Sequence, residues 1–560
     1  MPTDSIDTLP LLRSPPFLGA VAAVSQPGII VPPPLTPERV ETLFAAMREA
    51  RVGGCFWAPH APQTGPVTLI RIRSAVEVQS VRAKLNDAEH GAIVWSPLPG
   101  RDALTLRHAL AGATIVGDVD PWSVLNGATR LIAHGDDEWV ALAHIAGCSV
   151  DILTPGRFGQ SGADAAQLRR RIAENLAKTR YRDPFTGLAA NAESAIEQLA
   201  NWRGMVAGNR SIVAACGIAW WKRHEIARFL RSPEQAPRFF RSERRALDYA
   251  ARRGGSIAVW PSRISAGMAE EALSRNVALI RVEDGFVRSV GLGSNLVPPS
   301  SITVDRRGIH YDPTRPSDLE TLLATADFPP PLIARAERLI GIILRSEISK
   351  YGGNDEHAFP PRMAGRRLVL VPGQVEDDMS VRLGGGGLTS NLDLLRRARA
   401  LEPEAEIWFR PHPDVDAGHR KGAVRDADLL EHADRVVRGG GMARLLERVD
   451  GVHVLTSLTG FEALLRGRTV TCHGTPFYAG WGLTSDLAPV SRRRGRKLTL
   501  DQLVAAVLIL YPRYLDPVSH LPCPPEVLIH RMTDGASHNR LGWVSRIRKI
   551  QGWILKQRRS

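Results

Sequence analysis

The chain of 560 residues has no run approaching the ~20 apolar residues that cross a membrane as a helix. Its start, MPTDSIDTLPLLRSPPFLGAVAAVS, lacks the positive charge of a secretory signal. Asp4 and Asp7 stand there instead, and Pro15-Pro16 interrupts the apolar stretch, so residues 1–36 read as a flexible leader. Cysteine is sparse: Cys55, Cys148, Cys216, Cys472 and Cys523 lie far apart and no CxxC occurs. That excludes a disulfide scaffold and suits reduced core thiols in a cytoplasmic protein. There is no GxxxxGK[ST] loop, no HExxH, no GxSxG elbow and no spacing suited to metal ligands, so neither a metal nor a cofactor is expected. No zinc knuckle or helix-turn-helix pattern accompanies the net charge of +14. The basic excess therefore argues for an anionic membrane or acidic small molecules, with no nucleic acid.

What the chain has is alternation. From about residue 205, short apolar β-branched runs (SIVAAC, SIAVW, ALIRVED, LVLVPG, EIWFRPH, VHVLTS, TVTCHG) alternate with helical patterns such as LIARAERLIGIIL, NLDLLRRARAL and FEALLRG. This predicts parallel sheets covered by helices, in an α/β fold with two Rossmann-like domains facing a cleft.

The chain also repeats itself. YRDPFTGLAANAESAI from Tyr181 matches YLDPVSHLPCPPEVLI from Tyr514. WSVLNGATRLIAHGDDEWVALAHIAGCSVDIL parallels ARLLERVDGVHVLTSLTGFEALLRGRTVTCHG, and AIVWSPLPG parallels EIWFRPHPD. Three matches in one order argue for a duplication. In the first copy Pro97-Leu98-Pro99 replaces Pro411-His412-Pro413, and Asp136-Asp137 stands near the place of Ser457. Expected boundaries are a degenerate half-module at 37–178, a first Rossmann-like domain at 179–345, a second at 346–535 and a basic tail at 536–560. VPPPLTPE and RYRDP are the linkers.

Four constellations could carry chemistry. In RVEDGFVRSVGLG an apolar strand ends at Glu283-Asp284, where ligands of doubly wound sheets gather. Adjacent strand residues point opposite ways, so one of the two carboxylates is expected in the cleft. Gly285 is expected to turn the chain, and Arg288 to orient an anion. The bland alternative is a strand-end turn with a surface salt bridge. GQVEDDMSV follows the next strand and places Gln374, Glu376, Asp377 and Asp378 in a candidate binding loop; a solvated acidic loop is its alternative. In RPHPDV, two prolines stiffen the loop around His412, a candidate phosphate ligand or proton donor, and Arg410 offers a fork for an anion. A capping histidine in a rigid turn is the plain reading. In TSLTGFEALLRG a helix expected to start at about Thr459 offers free N–H groups to phosphate, with Ser457 and Thr459 beside them and Glu462 near a ribose. Thr459-x-x-Glu462 also reads as a capping box.

Together with DRRGIHYDPTRPSDLE and GTPFYAGWGLTSD, these motifs resemble the KpsC/LipA-type capsule polysaccharide proteins, bacterial β-Kdo glycosyltransferases, from about Tyr181 to Glu526. The resemblance implies a GT-B-like pair of domains and a CMP-Kdo donor. It also implies a lipid-linked Kdo acceptor at the inner face of the cytoplasmic membrane, and transfer with retention. Carried over by motif, Asp378 is the nucleophile, Asp284 or Glu283 the acid/base, and His412, Ser457 and Thr459 the phosphate ligands, with Glu462 at the ribose. Family members carry two complete transferase modules. Here the first has lost its HP histidine, which implies one active site and, as partners, a second Kdo transferase and capsule export machinery. A transferase for another CMP-linked acidic sugar and a non-catalytic scaffold of a capsule assembly complex are the alternatives.

At the chain's end, Trp543, Ile547, Ile550 and Ile554 share a helical face beside Arg546, Arg548, Lys549, Lys556, Arg558 and Arg559. Such a helix suits an anionic membrane surface, giving a peripheral membrane protein; a tail packed on the protein, or a disordered one, is the alternative.

Overall fold

The computed structural model describes residues 9–17, 24–27, 35–61, 67–85, 93–95, 114–116, 119–287, 298–346, 359–418 and 420–534. Pro97-Leu98-Pro99, Arg288, part of the VPPPLTPE linker and the basic tail lie outside the described residues. The chain divides into two compact units, residues 1–211 with 231–236, and residues 212–230 with 237–560.

In the first unit, β1 (Ser25–Pro27) belongs to a small antiparallel sheet. β2 (Val67–Arg71), β3 (Ile93–Trp95), β4 (Thr114–Val116), β5 (Ala128–Ala133) and β6 (Ser149–Ile152) form a parallel sheet in the order β4-β3-β2-β5-β6. β7 (Thr179–Arg182) pairs with β1 and continues into a hairpin with β8 (Ala189–Ala190).

The second unit holds two sheets. The first contains β9 (Ile212–Cys216), β10 (Arg238–Phe240), β11 (Ser256–Val259), β12 (Leu279–Asp284) and β13 (Ser301–Asp305). The second contains β14 (Leu368–Pro372), β15 (Glu406–Arg410), β16 (Arg435–Val436), β17 (Gly451–Val454), β18 (Thr469–Cys472) and β19 (Ser485–Asp486), all parallel in the order β16-β15-β14-β17-β18-β19. In chain order that is 3-2-1-4-5-6, the doubly wound order whose switch point falls between the first and fourth strands. β9 and β14 are buried along their whole length, which is why they read as continuous apolar runs rather than as alternation. The chain then returns to the first sheet: β20 (Pro512–Leu515) pairs antiparallel with β13, and β21 (Pro522–Cys523) closes the edge. The full order there is β10-β9-β11-β12-β13-β20-β21. A core running from Leu319 through Leu370, Val454 and Leu503 to Leu528 joins elements of both sheets.

The duplication has a geometric signature. Asp183 Oδ1 accepts from Phe185 N and Thr186 N, and its backbone N–H bonds to Leu188 O. Asp516 repeats this with Val518 N on Oδ1, Ser519 N on Oδ2 and its own N–H on Leu521 O. Tyr181 donates to Leu176 O and Tyr514 to Leu508 O. Gly187, at φ 71, is matched by His520 at φ 60, a left-handed position that an L side chain occupies at some cost. Capping boxes Asp164/Gln167 and Thr499/Gln502 open the helices just upstream. The first unit's parallel sheet repeats the first five strands of the 3-2-1-4-5-6 order.

At the switch point of that first copy, polar groups consume one another. Asp137 caps α1 (Glu138–Ala146) through Trp139 N, at 2.9 Å, and takes Arg71 Nε at 2.6 Å. The Arg71 guanidinium lies 4.5 Å from the Trp139 ring. Arg73 pairs with Asp136, and Glu77 Oε2 lies 2.9 Å from His134 Nε2. The expected replacement of Ser457 is thus literal, since Asp137 and Ser457 are both helix N-caps after the fourth strand.

A buried histidine pair sits in the second sheet of the second unit. His453 on β17 and His473 just after β18 are 2% and 3% exposed, with Nδ1 and Nε2 3.0 Å apart. Burial lowers both, each to about 4. Glu402 Oε1 lies 3.6 Å from His453 Nε2, too long for a hydrogen bond, and a neutral ring makes no ion pair with it.

Candidate functional site

The carboxyl ends of β12, β14, β15 and β17 carry the candidate residues. Glu283 and Asp284 are the last two residues of β12, opposite Thr303 and Ile302 of β13. Gly285 follows. Its need is not a turn conformation, as expected from sequence, but close approach: a Cβ there would sit 2.2 Å from Ser301 Oγ. The backbone N–H of Asp284 donates to Glu283 Oε1 at 3.1 Å. Asp284 Oδ1 takes Lys222 Nζ at 2.8 Å. Lys222 ends the single helical turn Trp220–Lys222 after β9, is 6% exposed, and lies 3.7 Å from the Trp260 ring centroid and 5.1 Å from that of Trp221.

From the second sheet, Asp378 caps α2 (Met379–Gly384): its Oδ1 accepts from Ser380 N at 2.9 Å and Ser380 Oγ at 2.8 Å. Among the described residues no hydrogen bond or ion pair engages Asp378 Oδ2. The charge of Asp378 reaches Glu283 across the two sheets. Desolvation first, the Asp284 charge second and, more weakly, Asp378 push the Glu283 carboxyl up to about 7, against the pull of Lys222. Tyr311, on the loop after β13, faces both carboxylates, and its phenol is held well above the ordinary range by desolvation and then by Glu283 and Asp378. Its hydroxyl is buried and has no hydrogen-bond partner among the described residues. A Cβ at Gly384 would lie 3.5 Å from Tyr311 O, so the loop packs on the end of α2. Asp305 fixes that loop by accepting from Arg307 N, Gly308 N, Asp318 N and Tyr511 Oη. His310 and Phe477 flank Phe286, with ring centroids 4.9 and 4.7 Å from it, and the three join the two sheets beside that loop.

Gln374 and Arg410 have internal work. Gln374 bridges the switch point: Nε2 donates to Thr456 Oγ1 at 3.0 Å and Oε1 accepts from Thr456 N at 2.8 Å. Arg410 donates to the carbonyls of Gly439 and Gly440, at 2.9 and 2.6 Å. Glu376 accepts from Asn391 N, and Asp377 pairs with Arg420, so each acidic neighbour of Asp378 has its own partner.

His412 caps the one-turn helix α3 (Pro413–Asp416), with Nδ1 accepting from Asp414 N at 3.1 Å. That bond leaves Nε2 as the proton-bearing nitrogen of the neutral ring. The loop lies against the end of β14, since a Cβ at Gly373 would sit 3.5 Å from His412 N. Ser457, not Thr459, is the N-cap of α4 (Leu458–Leu465), with Oγ accepting from Thr459 N at 3.2 Å and donating to Thr459 Oγ1 at 3.1 Å. The capping box expected for Thr459 and Glu462 is therefore absent: the third helical position is Gly460, which has no carboxylate to return. Thr459 and Glu462 are buried on the helix, 8% and 9% exposed. Gly460 is required there, because a Cβ would meet Tyr478 Oη at 2.2 Å.

The structure thus puts Glu283 and Asp284 at the end of β12, with Asp378 of the second sheet within electrostatic reach of Glu283, and places His412 after β15 and Ser457 and Thr459 after β17, on either side of β14. Lys222 and Tyr311 were missed from sequence. Their signals were WWK directly after a buried strand and HYD after another.

The family described as capsule polysaccharide biosynthesis protein matches residues 255–357 and 354–514. The capsule polysaccharide modification protein LipA of Neisseria meningitidis is 39% identical over 369 residues, covering 63% of this chain and 51% of its own. The lipopolysaccharide-processing protein LpsZ of Rhizobium meliloti is 47% identical over 248 residues, covering 43% of this chain and 56% of its own. The chain spans about half the length of these curated relatives. Among solved structures, the β Kdo 2,4 transferase of Thermosulfurimonas dismutans KpsC is 32% identical, with a TM-score of 0.50 over 57% of this chain and 98% of that one.

Proposed function

Because the chain belongs to the KpsC/LipA-type capsule polysaccharide family, with its α/β GT-B-like fold, we propose that it is a retaining β-Kdo transferase that takes Kdo from CMP-Kdo and extends a lipid-linked Kdo acceptor. The observation that carries this reading is the delivery of carboxylates by strand ends of two sheets, Glu283 and Asp284 at the end of β12 and Asp378 at the start of α2, with Asp378 in electrostatic reach of Glu283.

In this reading the donor phosphate sits at the start of α4, where the helix N–H groups and the helix dipole favour an anion, with Ser457 and Thr459 adding hydroxyl donors. Glu462 meets the ribose, and His412 donates through Nε2 to the leaving phosphate. Asp378 Oδ2 attacks the anomeric C2 of Kdo, the C2–O bond to phosphate breaks, and CMP leaves with the bonding pair. An acceptor hydroxyl then attacks C2, the C2–O bond to Asp378 breaks, and the acceptor proton passes to Glu283. Two inversions give net retention. Anion binding by helix N–H groups and hydroxyls requires no cation, so transfer is expected to survive EDTA.

Intact-mass measurement after mixing with CMP-Kdo in EDTA tests the reading. A Kdo-sized increment is expected on the wild type and not on a folded Asp378→Asn variant. CMP release and adduct formation that persist undiminished in that variant would overturn it. Parallel mixing with a CMP-linked sialic acid separates the two donor classes.

A further inference from the structure

We infer that Lys222 is the positioning residue that divides labour between the adjacent carboxylates, holding Asp284 as a fixed countercharge and leaving Glu283 to carry the proton. This rests on the transferase reading for its consequence but not for its geometry. In chain order the parallel strands of the first sheet lie 2-1-3-4, with β10-β9-β11-β12 side by side. Their switch point lies between β9 and β11, and ligands of such sheets gather outside the carboxyl ends there. Lys222 follows β9 and Trp260 follows β11, so the ammonium fills this crevice and reaches across the end of β11 to Asp284 on β12.

The aromatic faces of Trp260 and Trp221 remove water from the ammonium while favouring its charge. A cation buried to this degree is strongly disfavoured unless a full anion stands close by. Asp284 Oδ1, at 2.8 Å, is that anion. Glu283 is left with the N–H of Asp284 on one oxygen. The groups that face it are Asp284 on its own strand, Lys222 from the turn after β9, Asp378 from the start of α2, and Tyr311 from the loop after β13. Three of these four disfavour or do not relieve a second negative charge. Of the four, Lys222 is the cation that opposes them, and the backbone N–H of Asp284 adds a weaker pull. Two carboxylates adjacent in sequence thereby acquire different roles, one engaged as the counter-ion of Lys222 and one poised to exchange a proton.

The experiment follows the acid limb of the pH profile of kcat/KM in wild type, Lys222→Met, Asp284→Asn and the double variant. In parallel, the side-chain carboxyl 13C shift of Glu283, assigned by its loss in Glu283→Gln, is titrated without any donor. Loss of the cation is expected to move the limb and the titration upward by about one pH unit, near a fivefold loss of rate at neutral pH for a base that starts at about 7. Asp284→Asn is expected to move both downward, and the double variant to return both toward wild type. A uniform loss of rate with an unmoved limb and unmoved titration would overturn the proposal. If Lys222→Met does not fold, the downward shift in Asp284→Asn decides, and an unmoved Glu283 there overturns it. Absence of any sugar transfer by the wild type would defeat the transferase reading, while the carboxyl titration would still decide the role of Lys222.

Discussion

The buried pair of His453 and His473 should make the second unit acid-labile in a narrow window. Both rings are neutral in the fold, held to about 4 by burial, whereas in the unfolded chain each titrates near 6.5. Between those values the unfolded state binds more protons, so stability falls as pH falls from 6.5 to 4 and is unaffected by these groups above 6.5. Each imidazole contributes ~1.4 kcal/mol per pH unit, hence roughly 3 kcal/mol each over the window and about 6 for the pair. The 3.0 Å contact between ring nitrogens is part of this, since a charge on His453 disfavours one on His473. The assay is the midpoint of thermal unfolding against pH for wild type and His453→Asn/His473→Gln, read as slope because packing losses shift only the absolute midpoint. The wild type is expected to lose on the order of 10 °C more than the variant between pH 6.5 and 4.5. Equal slopes would refute the reasoning and mean that the pair is hydrated or already charged.

Two further outcomes are expected. Ser457→Ala removes the cap of α4 and should cost ~1 kcal/mol of stability; in the proposed enzyme it should raise the donor KM more than it lowers kcat, in steady-state assays at varied CMP-Kdo. Deleting residues 536–560 should reduce cosedimentation with anionic vesicles at least several-fold while leaving neutral vesicles unaffected, as the proposed peripheral attachment at the inner membrane face requires.

Strand ends were the most legible feature of the sequence. Runs such as Leu368–Pro372 and Ile212–Cys216 are buried on both faces, so their hydrophobicity is continuous and they stop where polar residues begin. Glu283, Asp378, His412 and Ser457 were visible because each closes such a run. What each polar side chain touches was not visible. Gln374 reads as a ligand group, yet its amide is spent on Thr456, 82 residues away. Arg410 reads as an anion fork but holds two glycine carbonyls. Lys222 was passed over because its partner, Asp284, lies 62 residues downstream and no local pattern couples them. Local periodicity likewise gives no sign that Pro512–Leu515 crosses back to the first sheet, because a strand's partner is set by tertiary packing.

That crossing ties the molecule's architecture to its integrity during synthesis. Until residues 512–523 emerge, Ser301–Asp305 has a partner on one side only, and its outer row of N–H and C=O groups is an open template for another chain. A fragment that stops after Asp486 would keep every strand of the second sheet and still leave the first with that bare margin, so neither half can be cut out cleanly at the join between them.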